Sequence, residues 1–506
     1  MTTRRELIRP AALTAAGPAA LLGCAGQSTA RSATTMTNTT DDELLSLTAT
    51  QLAELIRNRE ISSEELTRRY LERIEQVNPK IRAVVALADD AVDRAREADA
   101  ALAAGNPRGA LHGVPMTIKD CFDTAGVVST WGTVGRKDFV PSTDATVVRR
   151  LKDAGAVLLG KTNTPEFTLS FETYNKLHGF TNNPFALDHS PGGSSGGAAA
   201  LIAASGTAFD IGTDYGGSIR VPSHCCGIVG IKPTSGSVAR TGLCLPPGML
   251  TDALSHAGPM ARRVEDLALL LPIIWGPDGV DTRIADVAYP DPAQVDLHGL
   301  KCAVTTDNGV ATPDAETVRA VEAAAELMAG FGAEVVADRL PGAERILGLD
   351  SGLWMAGGHR SVEQLLETAG TARADYGNNW FRELTGSIDR TVPSDTVVDA
   401  LTRWEDFRRE QQGFMSRYDV LISPVNARPA QPHAEPGEMP FPTEFATYTM
   451  VFDLTGWPSG ALRCGTSPSG LPIGVQVTAN PWRDDIVLAV MAVLEGALGP
   501  FARAEL

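Results

Sequence analysis

The amino-acid sequence predicts an α/β protein, and two stretches carry that expectation. Residues 145–159 read as a helix, a turn at Gly155 and an apolar strand that begins at Ala156, the unit that stacks helices over a sheet. Residues 301–305, 314–330 and 333–336 repeat the pattern as strand, helix and strand. A chain of 506 residues, 43% hydrophobic and 21% charged, has ordinary globular composition and length enough for a large core.

Ahead of these units, Thr48 is placed to cap a helix whose Leu52, Leu55 and Ile56 share one face. Ser62 and Glu65 form a capping-box pattern before a second helix, with Leu66, Tyr70, Leu71, Ile74 and Val77 as its stripe and Asn78-Pro79 as its expected end. Residues 83–87 read as a short buried strand and residues 89–104 as an alanine-rich helix. Residues 111–118 read as a strand that delivers Lys119 to its end; taken alone, such a lysine reads as a solvated strand terminus. Farther on, residues 342–419 carry helical patterning, with Trp354, Tyr376, Trp380, Phe381 and Trp404 expected mainly in the core. Residues 418–424 return to a strand, and the proline-rich residues 426–449 read as a loop over the sheet or the rim of a pocket. A strand at 470–476 and a helix at 485–498 finish the chain.

The net charge of −17 argues against nucleic acid as a partner, since phosphate backbones are held by clustered Lys and Arg. Cys24, Cys121, Cys225, Cys226, Cys244, Cys302 and Cys464 fall at no regular spacing and form no C-x-x-C pair, so neither a zinc site nor a disulfide framework is indicated. His224 beside Cys225 and Cys226 reads as core, because adjacent residues of a regular element cannot converge on one ion. No metal and no cofactor are expected.

At the N-terminus, Arg4 and Arg5 precede a short apolar run, the pattern of a twin-arginine export signal, and Leu21-Leu22-Gly23-Cys24 resembles a lipobox that would lipidate Cys24. Residues 27–42 follow as a polar tether. The expected division is a leader and tether at 1–40 and a single catalytic domain at 41–506, in an exported protein, periplasmic or at the cell surface, that meets a membrane only through Cys24. The alternative is a cytoplasmic protein.

The most informative stretch is 190–234. Gly192, Gly193, Gly196 and Gly197 flank Ser194 and Ser195, and Gly216 and Gly217 precede Ser218. Gly-Gly-Ser turns aim consecutive backbone N–H groups into one concavity, a cradle for an anion or a developing oxyanion. A flexible linker would not be interrupted by AAALIAA or followed by CCGIVGI.

SPGGSSGG, TDYGGSIRVPS and CGIVGIKPT resemble the signature of the amidase signature family of serine hydrolases. GVPMTIKD, GKTNTPEF, TNNPF and SGLPIGVQ extend the resemblance over most of the chain after about residue 45. It implies a large mixed β-sheet core flanked by α-helices on both faces. It also implies that Ser218 is the nucleophile, Lys119 the base and Ser194 the proton relay between them, with a cis peptide joining Gly193 to Ser194. For Lys119 to act so, burial must lower its pKa from the usual value near 10.4. The N–H groups of Tyr215, Gly216, Gly217 and Ser218 are expected to form the oxyanion hole, and Ser195 to support the set by hydrogen bonding. Asp214 and Arg220 read as an internal ion pair or turn bond holding the loop rather than substrate ligands, and Cys226 as core.

The activity so implied is hydrolysis of small carboxylic amides, with anilides, esters and carbamates in range, through an acyl-enzyme. The alternatives are the glutaminase subunit of a tRNA-dependent amidotransferase, against which the leader argues, and an inactive binding protein on the same scaffold. The sequence departs from the family pattern at residues 459–463, where relatives carry alanine and proline in a more apolar run; Arg463 is expected near the pocket.

Overall fold

In the computed structural model, which describes residues 40–245, 250–357, 360–377, 391–499 and 501–506, both α/β stretches are helix and strand units. The helix Thr146–Asp153 turns at Gly155 into the strand Val157–Thr162. The strand Lys301–Val304 leads into the helix Ala315–Gly330, capped by Asp314, whose side chain accepts from Thr317 N, and then into Glu334–Ala337. The leader, with Arg4, Arg5 and Cys24, and the aromatics Trp380 and Phe381 lie outside the described residues.

In chain order the strands are β1 (Val84–Leu87), β2 (Pro115–Lys119), β3 (Val157–Thr162), β4 (Tyr174–Asn175), β5 (Gly179–Phe180), β6 (Phe209–Asp214), β7 (Val229–Lys232), β8 (His256–Ala261), β9 (Lys301–Val304), β10 (Glu334–Ala337), β11 (Val420–Pro424), β12 (Ser459–Thr466) and β13 (Pro472–Ala479). An eight-stranded sheet runs β10-β9-β11-β13-β12-β7-β8-β6. It is mixed: β9 is parallel to β10 and β11, and the pairings from β11 to β6 are antiparallel. A second sheet, β1-β3-β2, packs its β2 against β6.

Helices cover both faces of the large sheet. Val264–Ile274, Ala315–Gly330 and Asp484–Leu498 bury Leu267, Leu271, Val321, Met328, Val487 and Met491 in one apolar cluster. Gly196–Ala203 and Arg220–Cys226 bury Ala199, Ile202, Val221 and Cys226 in another. The helix Gly196–Ala203 is short and entirely small or apolar because it lies against backbone: a Cβ on Gly197 would sit 2.6 Å from Asn163 O and 3.0 Å from Ala83 O.

Three local expectations are corrected. The helix Ser63–Ile81 runs on through Pro79 and ends at Arg82, whose φ of 51° closes it with an N–H bond to Asn78 O at 2.8 Å. The Asn78 side chain accepts from Ala83 N and Val84 N, both at 2.8 Å, and so carries the exit that the proline was expected to force. β1 is a half-exposed edge strand rather than a buried one. The end of the expected loop at 426–449 is the start of a helix, Thr447–Thr455; all nine of its residues are buried, so it shows no polar face to read.

Gly197→Ala is expected to destabilise the fold by about 1–3 kcal/mol, because the new methyl group meets rigid backbone rather than a side chain that can move. Urea denaturation checks this.

Candidate active site

The site forms where the two sheets meet. Lys119 ends β2 and is fully buried; its Nζ donates to Ser194 Oγ at 2.6 Å, Thr213 Oγ1 at 2.7 Å and Ser195 Oγ at 2.9 Å. The serines stand in the turn before helix Gly196–Ala203, preceded by a cis peptide between Gly193 and Ser194, and Thr213 is the penultimate residue of β6. Burial pushes the Lys119 amine down to about 8, against the opposing pull of Cys121, Cys244, Asp214 and Asp210.

The three hydroxyls differ in where their protons go. Ser195 Oγ donates to Thr213 O at 3.2 Å and accepts from Thr213 N at 3.2 Å, so its proton is committed. Ser194 Oγ has no hydrogen-bond partner among the described residues other than Lys119. Thr213 Oγ1 accepts from Lys119 and from Cys121 Sγ and donates to no acceptor among the described residues, so Ser194 and Thr213 are the hydroxyls free to exchange a proton with a neutral amine.

Ser218 lies on the second glycine turn, which Ser195 N joins by donating to Ser218 O at 3.1 Å. Ser218 Oγ donates to Tyr215 O at 3.2 Å and makes no hydrogen bond to Ser194. The structure thus brings Lys119, Ser194 and Ser195 into contact and leaves the Ser218 hydroxyl turned toward its own loop. Such links commonly close only when substrate is bound.

Gly216 and Gly217 have φ of 77° and 125°, in the left-handed region that favours glycine. The expected four-donor cradle needs one correction. Gly217 N donates to Asp214 Oδ1 at 2.9 Å, because the Asp214 carboxylate caps this turn and takes Ile219 N at 3.0 Å as well. The N–H groups of Tyr215, Gly216 and Ser218 have no acceptor among the described residues. Thr449 Oγ1 donates to Gly216 O and fixes the turn from the other side.

Asp214 and Arg220 form a buried ion pair below the loop. Arg220 Nη2 donates to Asp214 Oδ1 at 2.7 Å and Asp453 Oδ2 at 2.8 Å, and its Nη1 to Thr449 O at 2.9 Å and Gln476 Oε1 at 3.2 Å. Burial alone would raise the Asp214 carboxyl, but the Arg220 charge and hydrogen bonds outweigh it and hold the group well below the usual carboxylate range. Neither residue lines the cavity that holds Ser218.

That cavity, of about 190 Å³, is lined by Leu169, Phe171, Leu347, Met439 and Met450, with Tyr215, Asp350 and Trp354. Among its described lining residues there is no Lys, Arg or His. Arg463 is not there. It lies on β12 in a separate cavity with Gly227 and Arg262, donating to Thr466 Oγ1 at 2.7 Å, because its position on the strand points it to the sheet's far end. His224 accepts from Gly474 N at 2.9 Å through Nδ1, so Nε2 carries the hydrogen and donates to Arg428 O at 2.9 Å; no ring nitrogen remains for a metal. Cys226 is buried, its Sγ donating to Pro191 O at 3.6 Å. Sequence reasoning missed Thr213, Asp350 and Asp453. Thr213 opens the TDYGGSIRVPS stretch beside Asp214, while the two acids lie far along the chain with no motif around them.

The Amidase family profile matches residues 65–488, and the chain belongs to the amidase signature family of amide hydrolases. One glutamyl-tRNA(Gln) amidotransferase subunit, that of Bdellovibrio bacteriovorus, is 33% identical over 480 residues, 88% of this chain and 96% of its own. A 6-aminohexanoate cyclic dimer hydrolase superposes with a TM-score of 0.81 at 30% identity, covering 91% of this chain and 99% of its own. A bacterial aryl acylamidase gives a TM-score of 0.81 at 27% identity, covering 89% and 96%.

Arg220→Ala leaves two buried carboxyl groups without their cation and is expected to cost about 3–5 kcal/mol of stability. Denaturant titration beside the wild type measures it.

Proposed function

We propose that the protein is an amidase that cleaves small carboxylic amides, acyl anilides among them, through an acyl-enzyme on Ser218. The observation that carries this reading is the fully buried Lys119 amine held 2.6 Å from Ser194, a hydroxyl whose proton is uncommitted among the described residues. Neutral Lys119 takes the Ser194 proton, Ser194 takes that of Ser218, and Ser218 Oγ bonds to the amide carbon as the C=O π electrons move to oxygen. The N–H groups of Tyr215, Gly216 and Ser218 receive the oxyanion. As the tetrahedral intermediate collapses, the C–N bond breaks and the protonated lysine returns its proton through Ser194 to the departing nitrogen. Water then repeats the sequence on the ester, releasing the acid and restoring Ser218.

The runner-up is the glutaminase subunit of a tRNA-dependent amidotransferase, which the curated relatives favour. The cavity supports the amidase reading instead. Free glutamine brings an α-carboxylate, and none of the described lining residues offers it a cation. The apolar part of the lining, Leu169, Phe171, Leu347 and Met450, suits an apolar acyl or aryl body, with esters and carbamates as further substrates. The Arg4-Arg5 leader and Cys24 support an exported, lipid-anchored enzyme, which suits a small-molecule hydrolase better than a partner of tRNA.

Ser218→Ala is expected to abolish release of aniline from an acyl anilide with the melting temperature unchanged; retained turnover removes the assignment, and loss of it excludes the inactive scaffold. Lys119→Ala is expected to lower kcat by about 10²–10⁴-fold. Because only the neutral amine accepts a proton, wild-type activity should climb as pH rises and reach half its plateau near the Lys119 value of about 8. A flat profile contradicts the base role. Ammonia release from free glutamine should be slower than anilide cleavage, and the reverse order favours the glutaminase.

A further inference from the structure

The helix Ile346–Gly357 presents Leu347, Asp350, Ser351 and Trp354 to the cavity that holds Ser218, a spacing that places all four on one helical face. Three of these positions suit an apolar or neutral wall. Asp350 does not. It is 6% exposed, and its one hydrogen-bond partner among the described residues is the Tyr215 hydroxyl, which donates to Oδ1 at 2.6 Å. Its second oxygen has no donor among the described residues. No Lys, Arg or His shares the described lining.

A carboxylate in this position is costly unless something completes it. Burial pushes Asp350 up to about 6, with only the Tyr215 hydroxyl working in the opposite direction. At the pH where Lys119 becomes neutral, Asp350 is therefore ionised, and the cavity that holds Ser218 carries a negative charge with no cation among its described lining residues. Its surroundings complement a cation: the Trp354 ring, tilted at 51° to Tyr215 with centroids 5.9 Å apart, adds an aromatic face, and Met439 and Met450 supply polarisable apolar surface. The protein supplies the anion, the aromatic face and an apolar wall, a set that a positively charged donor on an apolar stem complements.

We propose that Asp350 is a specificity-determining residue that selects amides carrying a primary ammonium group, separated by an apolar spacer from the carbonyl that Ser218 attacks. This rests on the reading of Ser218 as nucleophile and goes beyond it by naming the substrate class. The ammonium donates to the free Asp350 oxygen, Tyr215 keeps its own bond to Oδ1, and the spacer lies against Leu347 and Met450.

The test uses para-nitroanilides of glycine, β-alanine, γ-aminobutyrate and δ-aminovalerate, each against the isostere in which a methyl group replaces the ammonium, at a pH near 8. At one or more spacer lengths the wild type should prefer the ammonium compound by about tenfold or more in kcat/KM, the scale of a charge-assisted hydrogen bond. In Asp350→Asn that ratio should fall at least tenfold, and Asp350→Ser should do the same if the amide variant folds poorly. Tyr215→Phe should retain a preference, since the carboxylate remains. The proposal is overturned if no spacer length favours the ammonium, or if the ratio is unchanged in both Asp350 variants, as it would be were Asp350 only a support for Tyr215. Equilibrium binding of the same pairs to Ser218→Ala reads the preference without turnover. Undiminished cleavage of the methyl compounds by Ser218→Ala would instead remove the nucleophile reading, so the two failures are distinct.

Discussion

The site depends on holding an amine in a place that disfavours its charge while giving it a neighbour that can part with a proton. Lys119 is one of three fully buried lysines among the described residues, and it differs from the other two in its neighbours. Lys161 donates to Phe122 O, Thr124 Oγ1 and Ser129 Oγ, and both hydroxyls commit their own protons to carbonyl oxygens, Thr124 to Phe122 O and Ser129 to Val127 O. Asp120 stands 3.7 Å away as its counter-charge. Lys232 donates to Pro233 O at 3.1 Å, an acceptor only. All three amines are lowered by burial, but among the described residues only Lys119 touches hydroxyls, those of Ser194 and Thr213, whose protons are unassigned. Desolvation alone does not make a base. The hydrogen-bond inventory around the nitrogen does.

Carboxylates near that nitrogen threaten the arrangement, because a free anion would restore the ammonium. The fold removes them from play in different ways. Asp214 spends its charge on Arg220 and its oxygens on the N–H groups of Gly217 and Ile219. Asp210 accepts from Thr117 Oγ1 at 2.6 Å and Thr162 Oγ1 at 3.0 Å, tying β6 to β2 and β3, and burial pushes its carboxyl up to about 7, so it is partly protonated near neutrality. The residues that join the two sheets are thus the ones that keep Lys119 poised. Stability and reactivity come from the same contacts.

Much of this was legible in the sequence where the physics is local. The helix and strand unit ending in β3 announced itself through Gly155, whose φ of 99° needs glycine, and the unit at β9 through its strand, helix and strand pattern. The glycine turns marked the site, and the resemblance placed Lys119, Ser194 and Ser218. What escaped was set by tertiary contact. β6 and β8 are buried at every position, which erases the alternation that marks a half-exposed strand, and FDIGTD carries two acids that only Thr117, Thr162 and Arg220 explain. Gly217 N looked available because its acceptor, Asp214, needed the folded turn to reach it. Asp350 lies 132 positions beyond Ser218 and joins the cavity only because its helix packs there. Arg463 was misplaced because strand register, not proximity in sequence, decides which end of a sheet a side chain occupies.

Tyr215 shows how tightly the turn ties substrate binding to the reacting groups. Its carbonyl accepts the Ser218 hydroxyl, its N–H is one of the three open donors, and its side chain ends on Asp350. The neighbouring groups of the turn are fixed: Gly216 O by Thr449, Gly217 N and Ile219 N by Asp214. Motion available to the loop is therefore confined to its front, where the hydroxyl of Ser218 must leave Tyr215 O before it can hand its proton to Ser194. An oxyanion hole works when its dipoles are already aimed and need no reorganisation as charge develops. Here the rear of the turn supplies that rigidity through a buried ion pair, and the single adjustable element is the nucleophile's own hydroxyl. The expected order of events follows: the cavity fills, the Ser218 hydroxyl swings from carbonyl to relay, and the proton moves only then, with the amide carbon already in place.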